Sequence, residues 1–363
     1  MRVGQKSCIA KIAPKLPEPQ EEEQKSEGKT PSMLEAKNID LRDHRFAVSG
    51  ASGFIGRHLT SLLHEAGAQV VMLRRPGSPT APFTPIRSHV IDFSDAKACA
   101  ASLRRLRPTH IIHLAGFANS DRSVDSIARS LEVNLTASMK LILGAMEAVP
   151  DTRVVVSGTL ETSNPWEDAV ELGSPYGISK AMLEILTGGL QRLYGANVIN
   201  TRIGMVYGPD DPNEHRLVPS VVSAFLRGTA PVLSSGRRRC DWVYVTDVAE
   251  ALLHAALMKR TDHPGLDIGT GHLTSIRRVA EVIRGHVGSS LDPVFSDELD
   301  RPNEQERAAD AEQTFRLTGW RARVSLTEGI ARTVAWHRRM RADDPQATLS
   351  IARDRSTQVR PSL

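Results

Sequence analysis

Tyr176 and Lys180 stand four residues apart in "SPYGISK", and the stretch that follows, "AMLEILTGGL", is helical in pattern. Four residues make about one helical turn, so the phenol and the ammonium share a face. A cation beside a phenol favours the phenolate, which lowers the tyrosine's pKa and makes it a candidate general base. Upstream, "RVVVSGTLE" offers a second set. Val154 to Val156 read as a buried strand, and the chain then breaks into Ser157, Gly158, Thr159, Leu160 and Glu161. A hydroxyl and a carboxylate at a strand end can hold a reacting oxygen and take a proton. A solvated turn would also carry a glutamate, so both readings of Glu161 stand at this point.

Such a set works only if a scaffold brings it to a second reactant, and "VSGASGFIG" names that reactant. Gly50, Gly53 and Gly56 follow an apolar run and open a helical stretch, with Phe54 and Ile55 at the helix start. In that setting the glycines make the tight turn and admit a pyrophosphate to the backbone. The helix start supplies unpaired N–H donors. A dinucleotide cofactor is therefore expected, and its positive ring would further favour a phenolate at Tyr176. A second strand that binds a free ribose 2′-hydroxyl usually ends in an acid about 20 residues beyond the glycines. Here it ends "VVMLRR". Arg74 and Arg75 can pair with a 2′-phosphate, or be two solvated strand-end arginines. The first reading gives NADP, with NAD possible. Asp92 in "VIDFSD", with Phe93 beside it, is placed to meet the adenine. Leu114, Ala115 and Gly116 in "HLAG" are small enough for backbone to lie along the cofactor. His110 and His113 fall on opposite faces of a strand, so no metal site is expected.

The supporting elements follow from hydrophobic pattern. "RFAVSG", "QVVMLRR", "SHVIDF", "THIIHLAG" and "RVVVSGT" are apolar runs without in/out alternation, as strands buried on both faces of a parallel sheet require. In "RHLTSLLHEAG", Leu59, Leu62, Leu63 and Ala66 form an amphipathic stripe closed by Gly67. The expected fold class is α/β, a doubly wound parallel sheet of Rossmann type with a smaller mixed α/β C-terminal substrate lobe. The expected domains are a disordered N-terminal extension over 1–42, a dinucleotide-binding domain over 43–205 with parts of 235–272 returning to it, a mainly substrate-binding lobe over 206–340, and a flexible basic tail over 341–363. With 363 residues there is ample chain for both lobes.

Net charge is +4, and six arginines against three aspartates follow His337. A solvated tail accounts for that excess, so no nucleic-acid partner is expected. Cys8, Cys99 and Cys240 are odd in number and show no paired spacing, which fits a reducing compartment. No apolar run reaches membrane-spanning length, and the N-terminus lacks a secretory apolar stretch. A cytoplasmic location and no membrane partner are expected.

These motifs together resemble an extended short-chain dehydrogenase/reductase of the NAD-dependent epimerase/dehydratase family, which modifies nucleotide-linked sugars. The likeness runs from about Phe46 to Trp336, through "GASGFIG", "HLAG", "VVVSGT", "YGISK", "VYGP", "DWVYVTDVAEA" and "LDIGTG". It implies that Thr159, Tyr176 and Lys180 form a catalytic triad and that Asn134, in "LEVNLTAS", supports the lysine through a water. It implies that Tyr176 takes the proton of a sugar hydroxyl, usually on carbon 4, while hydride passes to the nicotinamide. The "T-L-E" spacing is similar to the T-x-E of GDP-mannose-type dehydratases and nucleotide-sugar decarboxylases, which makes Glu161 a possible base for dehydration. Some 4-keto-sugar reductases share the spacing. Leu160 stands where dTDP-glucose dehydratases carry an acid, and Ser163 and Asn164 where the family has an aromatic-glycine pair.

Before "DWVYV" the resemblance calls for a diphosphate-binding arginine, and Cys240 stands there. Arg239 could substitute only across a kinked strand start. Arg301 in "RPNEQ" matches the second such arginine, and the loop residues Asn213, Leu217 and Val218 are candidate substrate contacts. The family often forms homodimers through a four-helix bundle, here from helices starting near Leu131 and Tyr176. Competing expectations are an NADPH-dependent 4-keto-sugar reductase and a catalytically silent dinucleotide sensor.

Overall fold

A computed structural model of the chain describes residues 40–78, 86–118, 121–162, 173–261, 263, 265–301 and 303–343. The expected extension over 1–42, the tail over 341–363, and Ser163 and Asn164 lie wholly or almost wholly outside them.

The first half alternates strand and helix. β1 (Arg45–Ser49) leads through the glycine turn into α1 (Phe54–Glu65), then β2 (Gln69–Arg74), β3 (Arg87–Val90), α2 (Ala96–Leu106) and β4 (His110–His113). α3 (Val124–Ser130) runs into a π-helical stretch, Leu131–Thr136, and on into α4 (Ala137–Ala148). β5 (Arg153–Thr159), α5 (Pro175–Tyr194) and β6 (Val198–Ile203) complete this half. After β7 (Met205–Tyr207) come α6 (Leu217–Leu226), β8 (Val232–Leu233), β9 (Arg239–Tyr244), α7 (Val245–Leu257), β10 (Gly265–Ile268), β11 (Leu273–Ser275), α8 (Ile276–Val287), β12 (Val294–Phe295), α9 (Ala311–Thr318) and α10 (Leu326–Asp343).

Seven strands form one parallel sheet in the order β10-β6-β5-β4-β1-β2-β3. Crossovers from β1 go to opposite sides for β2 and β4, which opens a crevice beyond their C-terminal ends, where such sheets bind ligands. Helices on both faces explain the unbroken apolar strands: Val154 to Val156 are all buried. On one face Cys99 and Leu103 of α2, Leu141 and Ile142 of α4 and Leu183 of α5 pack on Ile111, Val154 and Val156. α1 packs against α7. A second core joins Val222 and Phe225 of α6, Trp242 and Tyr244 of β9, Ile283 of α8 and Ile330 of α10 around the three-stranded sheet β11-β9-β7.

Local sequence fixes the helix that matters most. Ser174 caps α5 by accepting from the Gly177 N–H at 3.0 Å, Pro175 occupies its first turn, and Gly195 ends it at φ 63°. The helix expected to start near Leu131 instead begins at Val124, capped by Ser123. Residues 131–136 loosen to π geometry, which inserts part of an extra turn and is common at functional sites.

Candidate active site

A cavity of about 1040 Å³ opens along the C-terminal ends of the strands. Gly50, Gly53, Phe54, Ile55 and Gly56 form one wall, with Leu114 and Gly116 beside them. Gly50 holds φ +69°, and a Cβ there would lie 2.6 Å from the Ala115 nitrogen. A Cβ on Gly56 would sit 2.1 Å from the Gly50 carbonyl oxygen. Only bare backbone closes this turn. α1 has no side-chain cap at its N-terminus, so its first N–H groups and the positive end of its dipole face the crevice. Backbone cradle and helix end together fit a dinucleotide.

The opposite wall carries Ser157, Thr159, Glu161, Tyr176 and Lys180. Lys180 is 5% exposed and donates to the Ser157 carbonyl oxygen at 2.7 Å and to Ser157 Oγ at 3.3 Å. Its ammonium lies 5.9 Å from the Tyr176 ring centroid, and burial lowers its pKa to about 8. The half-buried Tyr176 phenol is pushed well above its ordinary value, first by burial and then by the Glu161 charge. Arg216 and a hydrogen bond with Thr159 pull the other way. The sequence expectation joined the Lys180 ammonium to the cofactor's positive ring; among the chain's own groups, burial is the largest influence on this phenol.

Thr159 is buried, and its Oγ1 accepts from the Glu161 N–H at 3.1 Å. That short turn ties the Thr159 hydroxyl to the backbone of Glu161. Glu161 is 38% exposed and pairs with Arg238 at 3.4 Å. Asn134, fully buried in the π stretch, accepts from the Phe117 N–H at 2.7 Å and donates to Ser179 Oγ at 3.0 Å. Ser179 in turn donates to the Tyr176 carbonyl at 2.8 Å. Asn134 is thus tied into the turn between Tyr176 and Lys180. Gly116 lies between them too: a Cβ there would be 3.0 Å from Asn134 Oδ1 and 3.5 Å from Lys180 Nζ.

The other expected residues divide. Asn213, Leu217, Val218 and Arg301 all line the cavity. Arg74, Arg75, Asp92, Phe93, Ala115 and Asn134 do not, although Ala115 and Asn134 support its wall. Arg74 donates to the Ser78 carbonyl at 2.7 Å, and Arg75 is exposed at the end of β2. Asp92 is exposed and held below the ordinary carboxylate range by the Ser94 hydroxyl and amide. Phe93 packs near His113, ring centroids 6.0 Å apart. His113 is buried between Ser49 and Ser138, and among the described residues no cluster could hold a metal ion.

The strand-start arginine is corrected. β9 begins regularly at Arg239, without the required kink; Arg239 is exposed and ion-paired with Glu306 at 2.9 Å. Arg238 lines the cavity instead, held by Glu304 at 3.1 Å as well as by Glu161. Alternation along a strand puts residue 238 on the face of Cys240, so spacing carried this signal. Arg122, Arg216 and Arg307 also reach the cavity wall, from segments distant in sequence. Arg307 donates to the Thr162 carbonyl and to the buried Asp267, which also holds Arg202.

Residues 46–269 match the model of the NAD dependent epimerase/dehydratase family. The chain is 31% identical to the UDP-glucose 4-epimerase of Mycolicibacterium smegmatis over 311 residues, covering 81% of this chain and 98% of that one. It is 27% identical to a probable dTDP-glucose 4,6-dehydratase of Sinorhizobium fredii, covering 81% and 92%. Among solved structures, a UDP-glucose 4-epimerase from Thermotoga maritima, with UDP-glucose, superposes with a TM-score of 0.73 at 25% identity, covering 82% of this chain and 99% of that one. The Thermus thermophilus UDP-glucose 4-epimerase, in complex with NAD, gives 0.70 at 27%, covering 81% and 99%.

Proposed function

The chain belongs to the NAD-dependent epimerase/dehydratase family, and from that premise we propose that it oxidises a hydroxyl of a nucleotide-linked sugar, at carbon 4, and goes on to dehydrate or epimerise it with a retained cofactor. The observation that carries this is one cavity walled by the glycine turn on one side and by Thr159, Glu161, Tyr176 and Lys180 on the other.

Gly50, Gly53 and Gly56 with the start of α1 hold the dinucleotide's phosphates, and Gly116, Tyr176 and Lys180 meet its far end. A bound nicotinamide supplies the hydride acceptor and a positive charge that eases ionisation of the phenol. Tyr176 takes the hydroxyl proton, Lys180 holds the phenolate, and Thr159 hydrogen-bonds the reacting oxygen. A ketone at carbon 4 acidifies the neighbouring C–H, and Glu161 removes that proton so that the next hydroxyl can leave. Leu160 has no proton to give, so the leaving group takes its proton from water or another residue. Arg301, Asn213, Leu217 and Val218 contact the substrate.

Arg74 and Arg75, with no acid at the end of β2, support NADP over NAD. The same pair favours one second reading, a 4-keto-sugar reductase that consumes NADPH. Apolar side chains left exposed on neighbouring helices, Ile127, Leu143, Met182, Ile185 and Leu186, support a homodimer. No helix among the described residues is long and apolar enough to cross a membrane.

Glu161→Gln tests the dehydration step. Mass spectrometry of the product should show the loss of water falling about 100-fold or more in rate while oxidation persists. Unimpaired dehydration would reduce Glu161 to a turn residue.

A further inference from the structure

Arg238 serves two carboxylates with one guanidinium. Its Nη2 lies 3.4 Å from Glu161 and its Nη1 3.1 Å from Glu304. The arginine side chain is 17% exposed, Glu304 22% and Glu161 38%, and Arg238 Nε is buried without a partner. Shielding from water strengthens both pairs, yet they are unequal. Glu161 makes the longer contact from the more exposed position, so it is the partner that an arriving anion displaces. Glu304 stays and keeps the fork aimed. Cys240, on the same strand face, is a neutral thiol that burial pushes up to about 11, so it neither competes for the guanidinium nor adds a second cation. Phosphate oxygens suit a guanidinium better than one carboxylate oxygen does, because they can take two parallel N–H bonds.

We infer that Arg238 is a cation which the substrate takes from Glu161: the diphosphate of an incoming nucleotide sugar displaces the carboxylate and leaves it facing the sugar. No proton moves in this exchange, and only ion-pair partners change. It makes the base available when substrate is bound and keeps it neutralised otherwise. The inference rests on the nucleotide-sugar reading of the cavity and on Glu161 as base.

Coupling between two ligands of one site is reciprocal. Whatever the anion costs the Glu161 contact, removing the Glu161 charge must return to the anion. Calorimetric titration of the full chain with inorganic pyrophosphate tests this without turnover. Glu161→Gln is expected to tighten pyrophosphate binding about fivefold or more. In an Arg238→Gln background the same substitution is expected to change nothing, and binding itself to fall about tenfold. No gain from Glu161→Gln, or an equal gain without Arg238, overturns the inference. Should Arg238→Gln fail to fold, Glu304→Gln decides: it removes the partner that keeps the fork aimed, so it is expected not to tighten pyrophosphate, and a gain equal to that of Glu161→Gln overturns the inference. If the exchange holds while Glu161→Gln dehydrates normally, the base assignment fails and the exchange stands.

Discussion

Lys180 donates its short hydrogen bond to the carbonyl oxygen of Ser157, at 2.7 Å. The end of β5 therefore positions the ammonium beside Tyr176, and the strand end and the helix are pinned together by the lysine itself. Its burial has a cost that can be read in solution. The pKa is about 8 in the fold against 10.5 for the free side chain. Between those values the unfolded chain binds the extra proton, so this group's contribution makes stability rise with pH from about 8 to 10.5. Chemical denaturation across that window should show a rise on the order of 3 kcal/mol that Lys180→Met lacks. Parallel curves for the two proteins would mean that Lys180 is not desolvated as described.

The glycine turn makes a steric prediction. A methyl at position 56 meets the Gly50 carbonyl oxygen at 2.1 Å, so Gly56→Ala must move β1 away from α1. Overpacking of this kind costs about 1–3 kcal/mol. A lower melting temperature together with loss of dinucleotide binding is expected. Normal binding at normal stability would remove the turn from the cofactor site.

Cofactor preference turns on two arginines. Arg75→Ala is expected to weaken NADP binding about tenfold, the loss of one charge-assisted contact of about 1.5 kcal/mol, and to leave NAD unchanged. Arg74→Ala should act in the same direction but also free the Ser78 carbonyl that Arg74 now holds. Equal effects on both cofactors, or an unsubstituted protein that prefers NAD, would refute the NADP assignment.

For the homodimer, Ile185→Glu places a charge in the exposed apolar face of α5. Light scattering should find a dimer for the unsubstituted chain and a monomer for the variant. A monomer in both cases would rule the interface out.

Much of this site was legible because its parts are local. Gly50, Gly53 and Gly56 share one turn, and Tyr176 and Lys180 share one helical face. Spacing alone carries such information. Arg238 lines the cavity where Arg239 was expected, in keeping with the strand alternation that sets residue 238 on the face of Cys240. Arg122, Arg216 and Arg307 had no local signature at all, since only the tertiary fold brings their segments to the cavity. The Tyr176 environment was only partly legible for a related reason. Burial is a property of the whole site, and it is the largest influence on the phenol among the chain's own groups. The π stretch that buries Asn134 was invisible too, because its residues keep an ordinary helical pattern.

The most direct test is turnover. The purified chain, with NADP or NAD bound, is incubated with UDP-, dTDP-, GDP- and CDP-hexoses while absorbance at the reduced-cofactor band and product mass are followed. Conversion of one of these sugars without added reductant, falling about 100-fold or more in Tyr176→Phe, is the expected result. Conversion that consumes NADPH one for one, or dinucleotide binding with no conversion of any sugar, would contradict it.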